Sequence, residues 1–276
     1  MQRRDLFRSV GPLGLSAAAA GGSLWAGPAT AQTRSGGGKS SFFELRAYQL
    51  RVGPQVKPLN DFLGEVYVPL LNKLGVQPVG AFQLTFGPHM PTIYLLSPYE
   101  SLAHYERVVA KLAEELPRQK APAAQAILAA TGSQPPYTRM ETQLLRAFDS
   151  MPRLELPPET AKREPRIFEL RVYETPSDLG QSRKMEMFGP KMGELAIFRR
   201  VGLRPVLFAS SVVGPRQPSF SYMLSFPDLA GRDAAWKRFR EDADWQKLKV
   251  TPGYTDADIM SNITDYILTP TPYSQI

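Results

Sequence analysis

The sequence contains no cysteine. Disulfides, thiolate metal sites and thiol nucleophiles are therefore excluded together. Histidine is almost as scarce: His89 and His104 are the only two. No second ligand stands at metal-binding spacing from either, so neither a metal nor a haem is expected, and no other cofactor is implied. His89 falls in a proline-flanked turn. His104 falls beside an apolar helical stripe, which predicts a solvated position. There is no glycine loop of the phosphate-cradling kind, no Gly-x-Ser-x-Gly and no Ser/His/Asp order suggesting a triad. Long apolar runs are missing too. The Ala-rich stretch near the N-terminus is interrupted by Pro12, Gly14 and Gly21-Gly22, which is poor material for a bilayer span. Charge of one sign is nowhere concentrated. The 33 Lys and Arg against 26 Asp and Glu give a net +7, but the basic residues are dispersed, as at Arg199-Arg200 and Lys237-Arg238. That pattern points away from nucleic acid.

The N-terminus reads as an address. Arg3-Arg4-Asp5-Leu6-Phe7-Arg8, an Ala/Gly-rich stretch and Ala29-Thr30-Ala31 read as a twin-arginine signal over residues 1–31, with cleavage expected after Ala31; an ordinary Sec signal and an uncleaved anchor are the competing readings. The expected location is periplasmic or secreted, with no stable membrane anchor after cleavage. Residues 32–41 (QTRSGGGKSS) should be a flexible leader.

The rest of the chain repeats. Phe43-Glu44-Leu45-Arg46-Ala47-Tyr48 returns 125 positions later as Phe168-Glu169-Leu170-Arg171-Val172-Tyr173. Gly75-Val76-Gln77-Pro78-Val79 matches Gly202-Leu203-Arg204-Pro205-Val206, and Tyr94-Leu95-Leu96-Ser97 matches Tyr222-Met223-Leu224-Ser225. The period is too long for a solenoid unit and fits two domains of roughly 100 residues. They occupy residues 42–148 and 166–276, joined by a proline-rich linker over 149–165.

Within the first copy, alternation predicts a strand over 42–50. Helical spacing from Leu59 to Leu74 predicts a helix stopped by Gly75 and kinked at Pro69. Strands follow over 76–86 and 92–97, then a helix with Leu102, Tyr105, Val109, Leu112 and Leu116 inward. An Ala-rich helix over 118–130 and a strand over 137–148 complete the copy. The second copy reads as strand 167–173, helix 185–201, strands 203–213 and 220–225, helix 233–248 with Trp236, Phe239 and Ala243 inward, and strand 263–268. The acidic pair Asp256 and Asp258 reads as a solvated turn, and Trp236, Phe239 and Trp245 as packing residues.

Strand-helix-strand-strand-helix-strand is the ferredoxin-like order. A sheet with helices on one face leaves the other bare, and two such copies in one chain can cover each other. The expected fold class is α+β: two tandem ferredoxin-like repeats forming an intrachain dimeric α+β barrel. Alternation then places Phe43, Leu45 and Ala47 under the helices. Glu44, Arg46 and Tyr48 would face the shared interior, opposite Glu169, Arg171 and Tyr173. These six are the candidate ligand-binding residues. The arginines can donate to an anion or carbonyl, the glutamates can serve as partners or bases, and the tyrosines can donate hydrogen bonds. Structural Glu–Arg ion pairs crossing the pseudo-two-fold are the competing reading.

The chain also resembles the NIPSNAP family, whose domains belong to the dimeric α+β barrel group. Phe-Glu-Leu-Arg-x-Tyr in both copies, Gly-x-x-Pro-Val after the first helix, the Trp236-to-Trp245 helix and the end Leu268-Thr269-Pro270-Thr271-Pro272-Tyr273-Ser274 carry the resemblance. It spans nearly all of residues 42–274. The first copy departs, with Tyr105 where Trp236 stands. The resemblance implies the fold and no agreed catalytic residues. Three functions stay open: a small-molecule binder with its ligand in the central cavity or between sheet and helices, a cofactor-independent oxygenase or isomerase, and an interaction module acting through homo-oligomerisation.

Overall fold

The computed structural model describes residues 41–276. The signal and all but the last residue of the leader lie outside that range. Each repeat supplies four strands. The first gives β1 (Phe42–Gln49), β2 (Gly80–Phe86), β3 (Thr92–Tyr99) and β4 (Arg139–Ala147). The second gives β5 (Ile167–Glu174), β6 (Arg204–Val213), β7 (Ser219–Phe226) and β8 (Asn262–Pro270). They close one barrel in the order β1-β3-β2-β8-β5-β7-β6-β4, with every neighbouring pair antiparallel. The fold expected from the duplication is the fold found. Each repeat alone would expose two strand edges, and the β2–β8 and β4–β6 seams remove them. Because β1 and β5 are four steps apart in the ring, they run in the same direction. The pseudo-two-fold axis therefore follows the barrel axis, and the β2–β3 and β6–β7 turns share one mouth, here called the turn mouth.

The two faces of the first strands are the reverse of the expectation. Phe43, Leu45, Phe168, Leu170 and Val172 form the barrel interior with Phe82, Leu84, Tyr94, Leu96, Leu145 and Leu268. Phe82 of one repeat meets Phe168 of the other edge-on at 4.8 Å. Tyr48 packs with the first repeat's helices and Tyr173 with the second's. The physical reason is supply of partners. An eight-stranded barrel has an interior only wide enough for side chains, and nothing there would satisfy two Glu–Arg sets. The helices can bring hydroxyl, indole and guanidinium groups to the outer face.

One repeat match is also a residue out of register. Ala47 pairs with Tyr94, but Val172 pairs with Ser221. The structural counterpart of Tyr222 is Leu95, opposite Arg46. A one-residue slip exchanges faces, so Tyr94 enters the barrel while Tyr222 joins the helix side.

Helices cover the outside, and several break where one was expected. In the first repeat, α1 (Val56–Phe62) passes through a π-helical segment, Leu63–Tyr67, into α2 (Val68–Lys73). Pro69 sits in the first turn of α2. Its missing N–H cannot serve the carbonyl four residues back, and the widened turn absorbs this. Next come α3 (Leu102–Glu115), a 3-10 turn at Leu116–Arg118 and the short α4 (Pro122–Leu128). Ser101 caps α3 by accepting from the His104 backbone N–H at 3.1 Å. That start turns His104, Val108 and Leu112 inward and leaves Leu102 and Val109 at 48% and 41% exposure. His104 is therefore buried rather than solvated. It lies edge-on to Tyr99, and its Nε2 is 3.3 Å from the Leu74 carbonyl oxygen.

The segment between repeats is less exposed than a linker should be. It carries α5 (Pro158–Lys162) and buries Met151, and the Glu155 N–H donates to the Val206 carbonyl at 2.9 Å. In the second repeat, Gly189-Pro190 splits the expected helix into α6 (Asp178–Met187) and α7 (Glu194–Val201). Asp242 then ends α8 (Leu229–Glu241) and caps α9 (Ala243–Leu248), accepting from the N–H groups of Asp244 and Trp245. Ala243 is consequently exposed. The last helix, α10 (Asp256–Ile259), opens with a capping box in which Asp258 serves Thr255. No helix among the described residues is long and apolar enough to cross a membrane.

Candidate functional site

The six candidate residues form two separate clusters, one between sheet and helices in each repeat, and not one interior constellation. In the first, Glu44 is 2% exposed. Arg46 Nη2 donates to Glu44 Oε1 at 2.6 Å, while Nη1 donates to the Tyr67 hydroxyl at 2.7 Å and the Tyr48 hydroxyl at 3.2 Å. The Tyr99 hydroxyl lies 3.4 Å from Glu44 Oε2. Tyr67 reaches this group from the π-helical segment, and its ring sits against the Arg46 guanidinium, 5.6 Å from centroid to Cζ. Arg46 Nε is a buried donor without a hydrogen-bond partner; the other polar groups of the cluster satisfy one another from within the protein, as a structural ion pair does.

The second cluster keeps the residue types and changes the connections. Glu169 is fully buried. Its Oε1 accepts from Arg232 Nη2, and its Oε2 accepts from the Trp236 indole N–H at 2.7 Å. Both donors come from α8. The carboxylate that held Arg46 in the first repeat is thus engaged by a helix here, and Arg171 stands 3.9 Å from it. Arg171 Nε lies 2.8 Å from Asp265 Oδ1 but is not aimed at it, and remains a buried donor without a hydrogen-bond partner. Beside the Asp265 carboxylate, rings hold the guanidinium, with Cζ 4.7 Å from the Trp236 centroid, 5.4 Å from Tyr173 and 6.0 Å from Tyr222. Burial works against its charge, but Tyr222, Tyr173, Asp265 and Glu169 outweigh it and keep its pKa above the ordinary arginine value. Arg171 is therefore a fixed cation. Tyr173 and Tyr222 share a hydrogen bond at 2.9 Å.

Beside Arg171 a half-open cleft of about 530 Å³ runs between β5 and α8–α9. Tyr173, Trp236, Phe239 and Trp245 give it aromatic walls, and Arg171, Arg232 and Arg240 give it cations, against Asp233 and Asp256. Trp236 and Trp245 do pack as expected, each against Phe239, and they also present surface to this cleft. Behind Trp245 lies a buried ion pair, Lys184 Nζ to Glu194 Oε1 and Oε2 at 3.2 and 3.0 Å.

Of the six residues, the structure brings Glu169, Arg171 and Tyr173 to the cleft region, and closes Glu44, Arg46 and Tyr48 into an internal network. Sequence reasoning missed Arg232, Arg240, Tyr222, Asp265, Lys184 and Glu194. One signal for the first was present, since the Trp-x-x-Phe-x-x-Asp-x-x-Trp pattern of residues 236–245 occurs only in the second copy.

The NIPSNAP family model matches residues 43–148 and 168–275. Among curated proteins, none matches the chain. Several solved structures share the fold. A "putative monooxygenase" from Lactobacillus acidophilus NCFM has a TM-score of 0.53 at 6% identity, covering 84% of this chain and 94% of its own. An anthrone oxidase-like protein has a TM-score of 0.50 at 11% identity, covering 84% and 92%. A NIPSNAP family protein from Agrobacterium tumefaciens strain C58 is 20% identical over 41% of this chain and 91% of its own, with a TM-score of 0.35. At such identities the likeness of the first two shows the fold alone. With its family model matched across both repeats, the chain belongs to the NIPSNAP family.

Proposed function

We propose that this protein is exported and binds a planar aromatic anion in the cleft of its second repeat. Export rests on the twin-arginine pattern and the Ala29-Thr30-Ala31 site. Binding rests above all on Arg171, a cation that pairs with Asp265 at 2.8 Å and stands among the rings of Trp236, Tyr173 and Tyr222 at the wall of an aromatic cleft. Ligand sites combine apolar and aromatic walls with a few placed polar groups, and an arginine backed by rings favours an anion with a π-face. The two repeats have different jobs in this reading: the first closes its Glu–Arg set for stability and the second leaves its arginine for a ligand.

Tryptophan reports on this site directly. Beyond the signal, the only tryptophans are Trp236 and Trp245, and both line the cleft. 1-Naphthoate should change their fluorescence saturably in the chain beginning at Gln32. Arg171→Met should weaken that binding by about tenfold or more. Arg46→Met should lower stability and leave the affinity unchanged. A naphthoate titration that leaves the fluorescence flat, or that Arg171→Met does not alter, contradicts the proposal.

The names of the two neighbours favour one second reading, an oxygenase acting in the same cleft. Anthrone is planar and aromatic, and its conversion by O₂ to anthraquinone and water would be read as oxygen uptake. Uptake that matches that of buffer alone would remove this reading and leave binding intact.

A further inference from the structure

The turn mouth of the barrel holds a second chamber, on the opposite side of the sheet from the cleft. Leu45, Leu170 and Val172 are its apolar floor, and Tyr94, Tyr266 and Gln143 stand in its walls. Its volume is about 60 Å³, room for roughly four to six waters at about 10–15 Å³ each. Broken symmetry creates it. Leu170 pairs with Tyr266 where Leu45 pairs with Gln143, and Ala47 pairs with Tyr94 where Val172 pairs with Ser221. Two tyrosines in edge contact at 5.7 Å fill one side. The smaller Gln143 leaves space on the other.

The polar groups around this space are incompletely used. Tyr94 and Gln143 are each 8% exposed, and neither side chain meets a hydrogen-bond partner among the described residues. Neither polar end is fully sealed from solvent, so each can serve water or a ligand in the chamber. Arg216 borders the same chamber. It sits in Gly214-Pro215-Arg216-Gln217-Pro218, the counterpart of Gly87-Pro88-His89-Met90-Pro91. Arg216 and His89 hold φ of 61° and 62°, the left-handed region that a side chain rarely adopts without a reason. Arg216 Nη1 donates to the Tyr266 hydroxyl at 3.0 Å and to Thr264 Oγ1 at 3.3 Å. Two carboxylates act on it, and both have other partners: Glu141 is 3.6 Å from Arg139, and Glu174 accepts from Asn262 at 3.0 Å.

We propose that the turn-mouth chamber binds a short-chain aliphatic monocarboxylate. The tail lies on Leu45, Leu170 and Val172. The carboxylate accepts from Arg216, the Tyr94 hydroxyl and the Gln143 amide. Glu141 also stands in the wall, paired with Arg139 at 3.6 Å; Arg216 and the two neutral donors above an apolar floor select for a small anion with a tail, and the volume limits the tail to a few carbons. This site does not depend on the aromatic cleft.

Butyrate is the probe, with butyramide and butanol beside it, followed by ligand-observed NMR on the chain beginning at Gln32. Butyrate should give saturable transfer without moving tryptophan fluorescence, because both tryptophans lie across the sheet. Arg216→Gln should weaken it by about tenfold or more, and Ala47→Leu should abolish it by filling the space, each checked by a melting curve. If Ala47→Leu does not fold, Gln143→Leu replaces it with the same expected loss. Absence of butyrate binding, equal binding of butyramide, or an unchanged affinity in Arg216→Gln overturns the proposal. So does binding that shifts tryptophan fluorescence and disappears in Arg171→Met, which would place butyrate in the cleft.

Discussion

Replacing Lys184 by methionine should cost the fold about 3–5 kcal/mol, and replacing Lys184 and Glu194 together should cost far less. The pair is buried on both sides, with side chains 2% and 3% exposed. Burial works against the Lys184 charge, yet Glu194 and Tyr173 outweigh it and hold its pKa above the ordinary lysine value. Lys184 Nζ also rests 5.2 Å from the Phe188 centroid and 5.6 Å from Trp245. Removing Lys184 alone leaves the buried Glu194 carboxylate with its attraction gone and its desolvation kept. The double replacement Lys184→Met with Glu194→Leu removes both penalties and substitutes apolar contact. Denaturant titration of wild type, both single variants and the double variant checks this. A Lys184→Met protein within about 1 kcal/mol of wild type would contradict it, as would a double variant no better than the worse single. Because Trp245 belongs to the cleft wall, the single variant should also alter tryptophan fluorescence in the folded state.

The second large effect is alkaline. Tyr48, Tyr67, Tyr99, Tyr173 and Tyr222 all have pKa values raised above the ordinary tyrosine value, in each case first by burial. In the unfolded chain these phenols ionise near pH 10, whereas in the folded chain they stay protonated. The folded state therefore binds more protons above that pH. The stability they contribute is complete below about pH 10 and is lost as pH rises towards the folded values. Five such groups give a slope of roughly 7 kcal/mol per pH unit. A total stability of about 5–15 kcal/mol would then vanish within about one to two units. Phenolate absorbance and circular dichroism followed together should change in one cooperative step. Gradual phenolate formation from these tyrosines in a still-folded chain would contradict the burial assigned to them.

Architecture was legible because duplication is written in identity. Phe-Glu-Leu-Arg-x-Tyr and Gly-x-x-Pro-Val recur in order, and a bare sheet face in each copy requires the other. Facing was not legible. Alternation divides a strand into two sets without saying which set the helices cover, and here both faces have partners. The apolar set Phe43, Leu45 and Phe168, Leu170 fills a barrel too narrow for ion pairs, while Tyr67, Arg232 and Trp236 arrive from the helices and Tyr99 from the end of β3. The register of Tyr94 against Tyr222 misled for a related reason, since similar residues one position apart look equivalent until pairing assigns their faces. Helix breaks were partly readable: Pro69 and Gly189-Pro190 are signals, but Asp242 becomes a cap only once Asp244 and Trp245 turn back onto it. The inequality of the two clusters was foreshadowed by the tryptophan pattern that only the second copy's helix carries. Its consequence, a Glu169 engaged by α8 and an Arg171 turned to Asp265 and the rings, depends on contacts more than sixty residues apart.

The most direct test is a crystal structure of the chain beginning at Gln32 grown with 1-naphthoate. The ring system should lie along the wall formed by Trp236 and Trp245, with the carboxylate at Arg171, while Arg46 keeps its bonds to Glu44, Tyr48 and Tyr67. Naphthoate inside the barrel, naphthoate at Arg46, or a cleft closed by its own side chains would contradict the division of labour between the two repeats.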